Sequence, residues 1–247
     1  MGTLKEMLSA DRFAAEAGVE LLEISPGYAG QIWSYPEYRI GGLGMAAVKQ
    51  KKRGQVNRSR TKLVLIAAEG RNKTEKLYFH ELFQNNKDYR VRFTSSTETD
   101  PVGIVASAVQ YVRSEELDLK NGDLAFCAVD TDTDISKQSQ IDQARKLAEK
   151  NGVELLISNP CFEVWFLQHF RYSTKSYASN DEVIRDLTTY IPGYKKNANV
   201  YDLIAHAQAH AVKRAKQLEQ HHAELGRKKN SMECNPSTDA YKVLEIR

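Results

Sequence analysis

Acidic side chains follow two apolar runs of the sequence. The first run, KLVLIAA, ends at Glu69, and Gly70 follows directly. The second run, DLAFCAV, is followed by acids at alternate positions: Asp130, Asp132 and Asp134. If both runs are parallel strands, their carboxyl ends meet at one edge of a sheet, where ligands usually bind. Carboxylates gathered there would suit a magnesium or manganese ion.

The aspartates have two alternative interpretations. The D-x-D-x-D pattern begins an EF-hand, but that loop requires glycine at its sixth position and glutamate at its twelfth. Ile135 and Ile141 stand at those positions, so the calcium loop is excluded. Asp134 could instead cap the helix that begins near Ser136. Asp130 differs because it ends an apolar run, where an unpaired carboxylate would be costly.

Strands and helices alternate around these acids. Apolar runs predict strands at 63–68, 89–93, 123–129 and 153–157. Helical periodicity predicts helices from Thr74, from Asp100 to about Glu116, from Ser136 to about Asn151, from Asn159-Pro160 onward, and over about 200–225. Asn235 to Thr238 could cap a final helix. This order predicts an α/β protein with a central, mostly parallel sheet flanked by helices and a C-terminal helical elaboration.

Basic residues are concentrated before the first strand. The 247-residue chain has a formal net charge of +3, yet residues 49–62 contain seven basic residues and no acid. Such an arm could hold a nucleic-acid backbone, and its candidate contacts are Lys51, Lys52, Arg53, Arg58 and Arg60. The alternative is a solvated linker. We therefore divide the chain into an N-terminal extension of unknown role (1–48), a basic arm (49–61) and a main domain (62–247).

The composition favours a cytoplasmic protein. No apolar stretch approaches the roughly 18 residues of a membrane span, and the N-terminus lacks the apolar region of a signal peptide. The three cysteines match no CxxC pattern, so neither a zinc site nor a disulfide framework is predicted.

Four ordered segments resemble the RloB-like family. EGRNKTEKLYF (69–79) is similar to the opening motif of that family, and SNPCFEVWFLQHF (158–170) is similar to its main signature. PGYKKN (192–197) and NPSTDAYKVLE (235–245) match its remaining blocks. Glu-Gly after one strand and Asp-x-Asp after another are together similar to the Toprim fold. The resemblance covers residues from about 58 to the C-terminus.

The resemblance implies a Toprim-type, metal-dependent nuclease of phage-defence loci, with DNA or RNA, including tRNA, as substrate. It also implies an ABC-type ATPase partner, which must be a separate polypeptide because this chain has no G-x-x-x-x-G-K-[ST] loop. The alternative is a non-catalytic Toprim-like module that binds nucleic acid or the ATPase. The complete acidic set favours the enzyme, since carboxylates that repel one another are costly to hold together.

The resemblance also suggests roles for individual residues. Asp130 and Asp132 would bind Mg²⁺ or Mn²⁺, and Glu69 would be a further ligand or the base that activates water. Glu163 could be another metal ligand or only a structural contact. Lys196 or its neighbour Lys195 could neutralise a phosphate in the transition state, or both could be ordinary solvated lysines.

Overall fold

The structure, a computed structural model, describes residues 60–70, 73–95 and 97–246. The chain divides into two units, Met1–Asn57 and Arg58–Arg247, and every described residue belongs to the second. The predicted N-terminal extension therefore lies outside the described residues, as do four members of the basic arm: Lys51, Lys52, Arg53 and Arg58. Within the described ranges, no helix has both the length and the apolar composition needed to cross a bilayer.

Strands alternate with helices through the first two thirds of the described chain. The elements are β1 (Lys62–Ala67), α1 (Thr74–Phe83), β2 (Tyr89–Phe93), α2 (Pro101–Ser114), β3 (Leu124–Asp130), α3 (Lys137–Lys150) and β4 (Glu154–Asn159). The C-terminal part adds α4 (Glu163–Phe170), α5 (Asn180–Thr188), α6 (Tyr201–Ile204), α7 (Gln208–Glu224) and the short strand β5 (Ser237–Thr238). Three 3-10 turns complete the described elements: Leu119–Asn121, Ala205–Ala207 and Ala240–Leu244.

The five strands form one sheet in the order β2-β1-β3-β4-β5. β1 to β4 are parallel, and β5 pairs with β4 in the antiparallel direction. The predicted α/β class, with a mostly parallel sheet, flanking helices and C-terminal helices, is confirmed. From β1 the chain moves outward to β2 and then returns across β1 to β3. The connections after β1 and β3 therefore lead in opposite directions, which opens a crevice between the carboxyl ends of these two strands.

The alternation of side chains in β1 explains why both faces of the sheet are covered. Val64 and Ile66 point into the hydrophobic core beneath α1, α4, α5 and α7, whereas Leu65 and Ala67 point into the core beneath α2 and α3. All four residues have no exposed surface. A strand buried on both sides reads as an unbroken apolar run, which is why the sequence predicted β1 to within one residue.

The predicted boundaries of the first four strands agree with the structure to within two residues. The N-terminus of α2 is also as predicted: the side chain of Asp100 accepts a hydrogen bond from the backbone N–H of Gly103 at 2.8 Å, and Pro101 is the first helical residue. A short acceptor side chain followed by proline is a strong local signal for a helix start.

The long helix predicted over 200–225 is wrong in its first two turns. The 3-10 turn at Ala205–Ala207 separates α6 from α7, and a 3-10 turn has 3.0 residues per turn instead of 3.6. The apolar stripe predicted along a continuous helix includes Val200, Leu203 and Ala207, but in the structure Leu203 is 58% exposed and Ile204 is buried.

The C-terminal segment also differs from its prediction. Ser237 and Thr238 form β5 and pair with Asn159 and Ser158 of β4, and the following residues form a 3-10 turn in place of an α-helix. The segment predicted to cap a final helix, Asn235 to Thr238, is therefore positioned by backbone pairing of its last two residues with β4.

Candidate active site

The acids that follow β1 and β3 lie at one edge of the sheet. β1 and β3 are parallel neighbours, with Ala67 paired to Cys127. Glu69 lies two residues beyond β1, and Asp130 is the last residue of β3. Both acids therefore flank the crevice between the two strands, and neither is fully buried. In open parallel sheets, this crevice is where ligands bind.

The pKa of Asp130 is raised well above its ordinary value. Burial is the largest cause, and the negative charges of nearby acids add to it: Glu75, Glu163 and Asp132. The positive charge of Lys196 acts in the opposite direction. Protein atoms surround the Asp130 carboxylate closely, although the residue keeps some solvent exposure at the edge of the sheet. The structure thus brings Asp130 together with acids from α1 and α4.

Glu163, the first residue of α4, has no exposed surface. The hydroxyl of Tyr194 donates a hydrogen bond to Oε1 of this carboxylate at 3.0 Å. Among the described residues, no hydrogen-bond partner meets the other oxygen, Oε2. The Cys161 thiol, a weak hydrogen-bond donor, also interacts with the Glu163 carboxylate. Burial, followed by the negative charge of Glu163, raises the pKa of that thiol. A buried carboxylate oxygen without a donor is costly, and a bound cation would remove that cost.

Glu75 is a site residue that the sequence analysis missed. It lies in the first turn of α1 and is 2% exposed. Burial raises its pKa from 4.5 to about 8, and the negative charges of Glu163 and Glu69 contribute to the shift. The missed signal was helical periodicity: Glu75 shares the buried face of α1 with Tyr78 and Leu82 at i+3 and i+7.

Lys196 lies among the same acids. Burial alone would lower its pKa, but the negative charges around it, chiefly that of Glu163 and then those of Asp130 and Asp132, raise it instead. The residue is exposed to solvent. The structure therefore places one of the predicted site residues where its charge can act on both the acids and a bound ligand.

Asp132 has local partners for both of its carboxylate oxygens. Lys137 donates to Oδ2, and Asn180 donates to Oδ1 at 2.6 Å. Its backbone is left-handed, with φ of 54°, a conformation that aspartate tolerates better than most residues. Asp132 influences Asp130 through its charge, but its side chain is already bound between α3 and α5. Asp134 accepts hydrogen bonds from Ser136, in agreement with a role at the helix start.

Arg60, the one member of the basic arm that the structure describes, lies at the opposite edge of the sheet. It forms an ion pair with the buried carboxylate of Asp123, immediately before β3. Asp123 also accepts backbone hydrogen bonds from Leu63 and Asp118, each at 2.9 Å. A strand of the length of β1 spans about 20 Å, so the structure does not bring Arg60 to the acids.

The acid cluster has the donor chemistry of a site for a hard divalent cation. Its ligands would be carboxylate oxygens, which Mg²⁺ and Mn²⁺ prefer, and Oε2 of Glu163 lacks a hydrogen-bond donor in the described part of the chain. Within the same part, no three side chains of His, Cys, Asp or Glu are already arranged to hold a metal ion together. Binding would therefore require the carboxylates to move closer to one another.

Comparison of the chain with known proteins identifies its family. No curated protein and no solved structure matched the chain. The family model described as RloB-like protein matches residues 64–246, which begin in β1 and include the whole acid cluster. The match covers well over half of the sequence. The chain therefore belongs to the RloB-like family.

Proposed function

We propose that the chain is a metal-dependent nuclease that hydrolyses phosphodiester bonds at the crevice between β1 and β3. One observation carries the proposal: acids from three separate elements, Asp130, Glu75 and Glu163, converge there, and the negative charges of neighbouring acids add to burial in raising the pKa values of Glu75 and Asp130. Carboxylates that repel one another destabilise a fold unless a bound cation neutralises them. They lie at the sheet edge where ligands bind in folds of this kind.

The proposed metal ligands are Asp130, Glu163 and Glu69, with Glu75 as a further acid of the same cluster. A bound Mg²⁺ or Mn²⁺ would polarise the phosphoryl group and lower the pKa of a water molecule. Glu69 is only half-buried, so it can approach either the ion or the attacking water. Lys196, exposed beside the acids, would balance the charge of the substrate phosphate.

The family resemblance extends this proposal to a biological setting. We place the chain among Toprim-type nucleases of antiviral defence that act with a separate ABC-type ATPase. The basic arm, including Lys51, Lys52, Arg53 and Arg58, would hold the nucleic-acid backbone. Arg60 forms an ion pair with Asp123 inside the main domain, so we assign it a smaller contribution to nucleic-acid binding.

The test is a cleavage screen of DNA, RNA and tRNA with Mg²⁺ or Mn²⁺, with and without the proposed ABC-type ATPase partner. We expect wild-type protein to cleave at least one class, and Asp130→Asn and Glu163→Gln to abolish cleavage. Asp123→Asn is a matched control, because Asp123 precedes β3 whereas Asp130 ends it, and both carboxylates are enclosed by protein. Equal cleavage by Asp130→Asn and wild type would refute the assignment.

A second candidate is a non-catalytic module that binds nucleic acid or the ATPase. The observation that favours it is the presence of internal counter-ions: Lys137 is paired with Asp132, and Lys196 lies among the remaining acids. Lysines that neutralise the acids would make a metal unnecessary for stability. This candidate predicts binding without cleavage, and a melting temperature that Mn²⁺ does not change.

A further inference from the structure

The segment 192–197, which we call the 192–197 loop, contains both Lys196 and the buried residue Tyr194. The loop runs from the end of the α5 region past the acids toward α6. Tyr194 is 5% exposed, whereas Lys196 is exposed to solvent. One short loop thus places a tyrosine inside the protein and a lysine at its surface, both next to the acid cluster.

Hydrogen bonds tie the 192–197 loop to the first turns of two helices. The Tyr194 hydroxyl donates to Oε1 of Glu163, at the start of α4, at 3.0 Å. The same hydroxyl is hydrogen-bonded to Thr74, at the start of α1. Asn197 adds two contacts with α1: its backbone N–H donates to Oγ1 of Thr74 at 3.2 Å, and its Oδ1 accepts from the backbone N–H of Lys73 at 2.8 Å.

The backbone of the loop is shaped for these contacts. Gly193 has φ of 77° and Asn197 has φ of 66°, so each adopts the left-handed conformation that glycine and asparagine tolerate best. At Gly193 an added Cβ would meet no atom within 4 Å. The dihedral angle, and not lack of space, therefore favours glycine there, and it allows the chain to turn Tyr194 inward.

The contact with Tyr194 fixes one oxygen of Glu163 and leaves the other without a donor among the described residues. In known metal sites, a ligating carboxylate is commonly oriented by a hydrogen bond from a neighbouring residue. We propose that Tyr194 is a positioning residue of the acid cluster, whose hydroxyl, supported by Thr74, orients Glu163 so that Oε2 is available to a divalent cation. This inference rests on the proposed function, because it requires a cation at these acids.

The chain contains a matched comparison for Tyr194. Tyr241 is also 5% exposed, and its hydroxyl donates to the carboxylate of Glu219 at 2.7 Å, outside the acid cluster. Tyr194→Phe and Tyr241→Phe each remove one hydrogen bond from a buried tyrosine to a glutamate, although Glu219, unlike Glu163, is partly exposed. If Tyr194 has only a structural role, the two changes will have similar consequences. If it positions a ligand, only Tyr194→Phe will alter cation binding.

The experiment measures Mn²⁺ binding to the full chain by electron paramagnetic resonance of the free ion, so that it does not depend on activity. We expect Tyr194→Phe to weaken Mn²⁺ binding by about 10-fold or more, and Tyr241→Phe to leave it unchanged. Glu163→Gln should weaken binding further, and the Tyr194→Phe change should add nothing in the Glu163→Gln background, because the tyrosine acts through that carboxylate.

Two results would overturn the inference in distinguishable ways. If Glu163→Gln weakens Mn²⁺ binding but Tyr194→Phe behaves like Tyr241→Phe, the positioning role is wrong and the proposed metal site stands. If wild type and Glu163→Gln bind Mn²⁺ equally, both proposals fail. Should Tyr194→Phe not fold, Thr74→Val removes the supporting hydroxyl and should also weaken binding, whereas Thr74→Ser keeps the hydroxyl and should retain wild-type affinity.

Discussion

Replacing Glu75 by glutamine should stabilise the metal-free protein, and the gain should grow with pH. The folded protein raises the pKa of Glu75 from 4.5 to about 8, so the neutral acid is favoured in the folded state. Its contribution to stability is fully present below pH 4.5 and is lost as the pH rises through about 8. Each pH unit between these values corresponds to about 1.4 kcal/mol, which gives a total of about 5 kcal/mol.

Thermal unfolding in EDTA at pH 5.5 and pH 9 measures this effect. Glu75→Gln should be more stable than wild type by about 1 kcal/mol at pH 5.5 and by about 5 kcal/mol at pH 9. For a domain of this size the difference corresponds to a rise of roughly 8–16 °C in the relative melting temperature. Because Glu75 and Asp130 influence each other's ionisation through their charges, the midpoint of the change belongs to the pair and not to Glu75 alone.

Two comparisons make the result decisive. Glu149→Gln changes an exposed acid of α3 and should show no comparable dependence on pH. Added Mn²⁺ should reduce the advantage of Glu75→Gln at pH 9, because the cation favours the ionised carboxylates of the wild type. If Glu75→Gln were more stable than wild type by the same amount at both pH values, the raised pKa that we assign to Glu75 through burial and repulsion would be wrong.

Further changes test other parts of the chain. Asp123→Asn should lower stability by about 1–2 kcal/mol, because two backbone N–H donors lose a charged acceptor, while Mn²⁺ binding stays unchanged in the resonance assay. Alanine at Lys51, Lys52 and Arg53 should flatten the salt dependence of nucleic-acid binding by roughly one unit of slope per lost contact; an unchanged slope would make the arm a linker. Removal of residues 1–45 should leave the melting temperature of the remaining chain unchanged, and a large decrease would show that the extension packs on the main domain.

Local signals in the sequence were sufficient to predict the four parallel strands of the sheet and the positions of Glu69 and Asp130. β1 and β3 are apolar on both faces. In a protein whose strands alternate with helices, a short unbroken apolar run of this kind is typical of a strand buried on both sides. Glu69 and Asp130 come directly after those runs, so the parallel arrangement alone brings them to one edge. Asp100 and Pro101 likewise define the start of α2 within four residues of sequence.

The remaining features depend on contacts between distant residues. The partner of Asp132 on α5 is Asn180, 48 residues later in the chain, and no local pattern connects them. The bond between Tyr194 and Glu163 joins two motifs that the sequence presents separately. Ile204 fills the core at the position that the predicted apolar stripe gave to Leu203. Tertiary packing decided each of these cases.

Residues 240–243 complete the hydrophobic core to which β1 contributes, and this large separation along the chain affects folding during synthesis. Val64 and Ile66 of β1 belong to the same hydrophobic core as Ala240, Tyr241 and Val243. A ribosome releases β1 long before those residues emerge. The nascent chain therefore exposes apolar surface until residues 240–243 emerge, so a product that stops before β5 would keep an open edge on β4 and would be prone to aggregation.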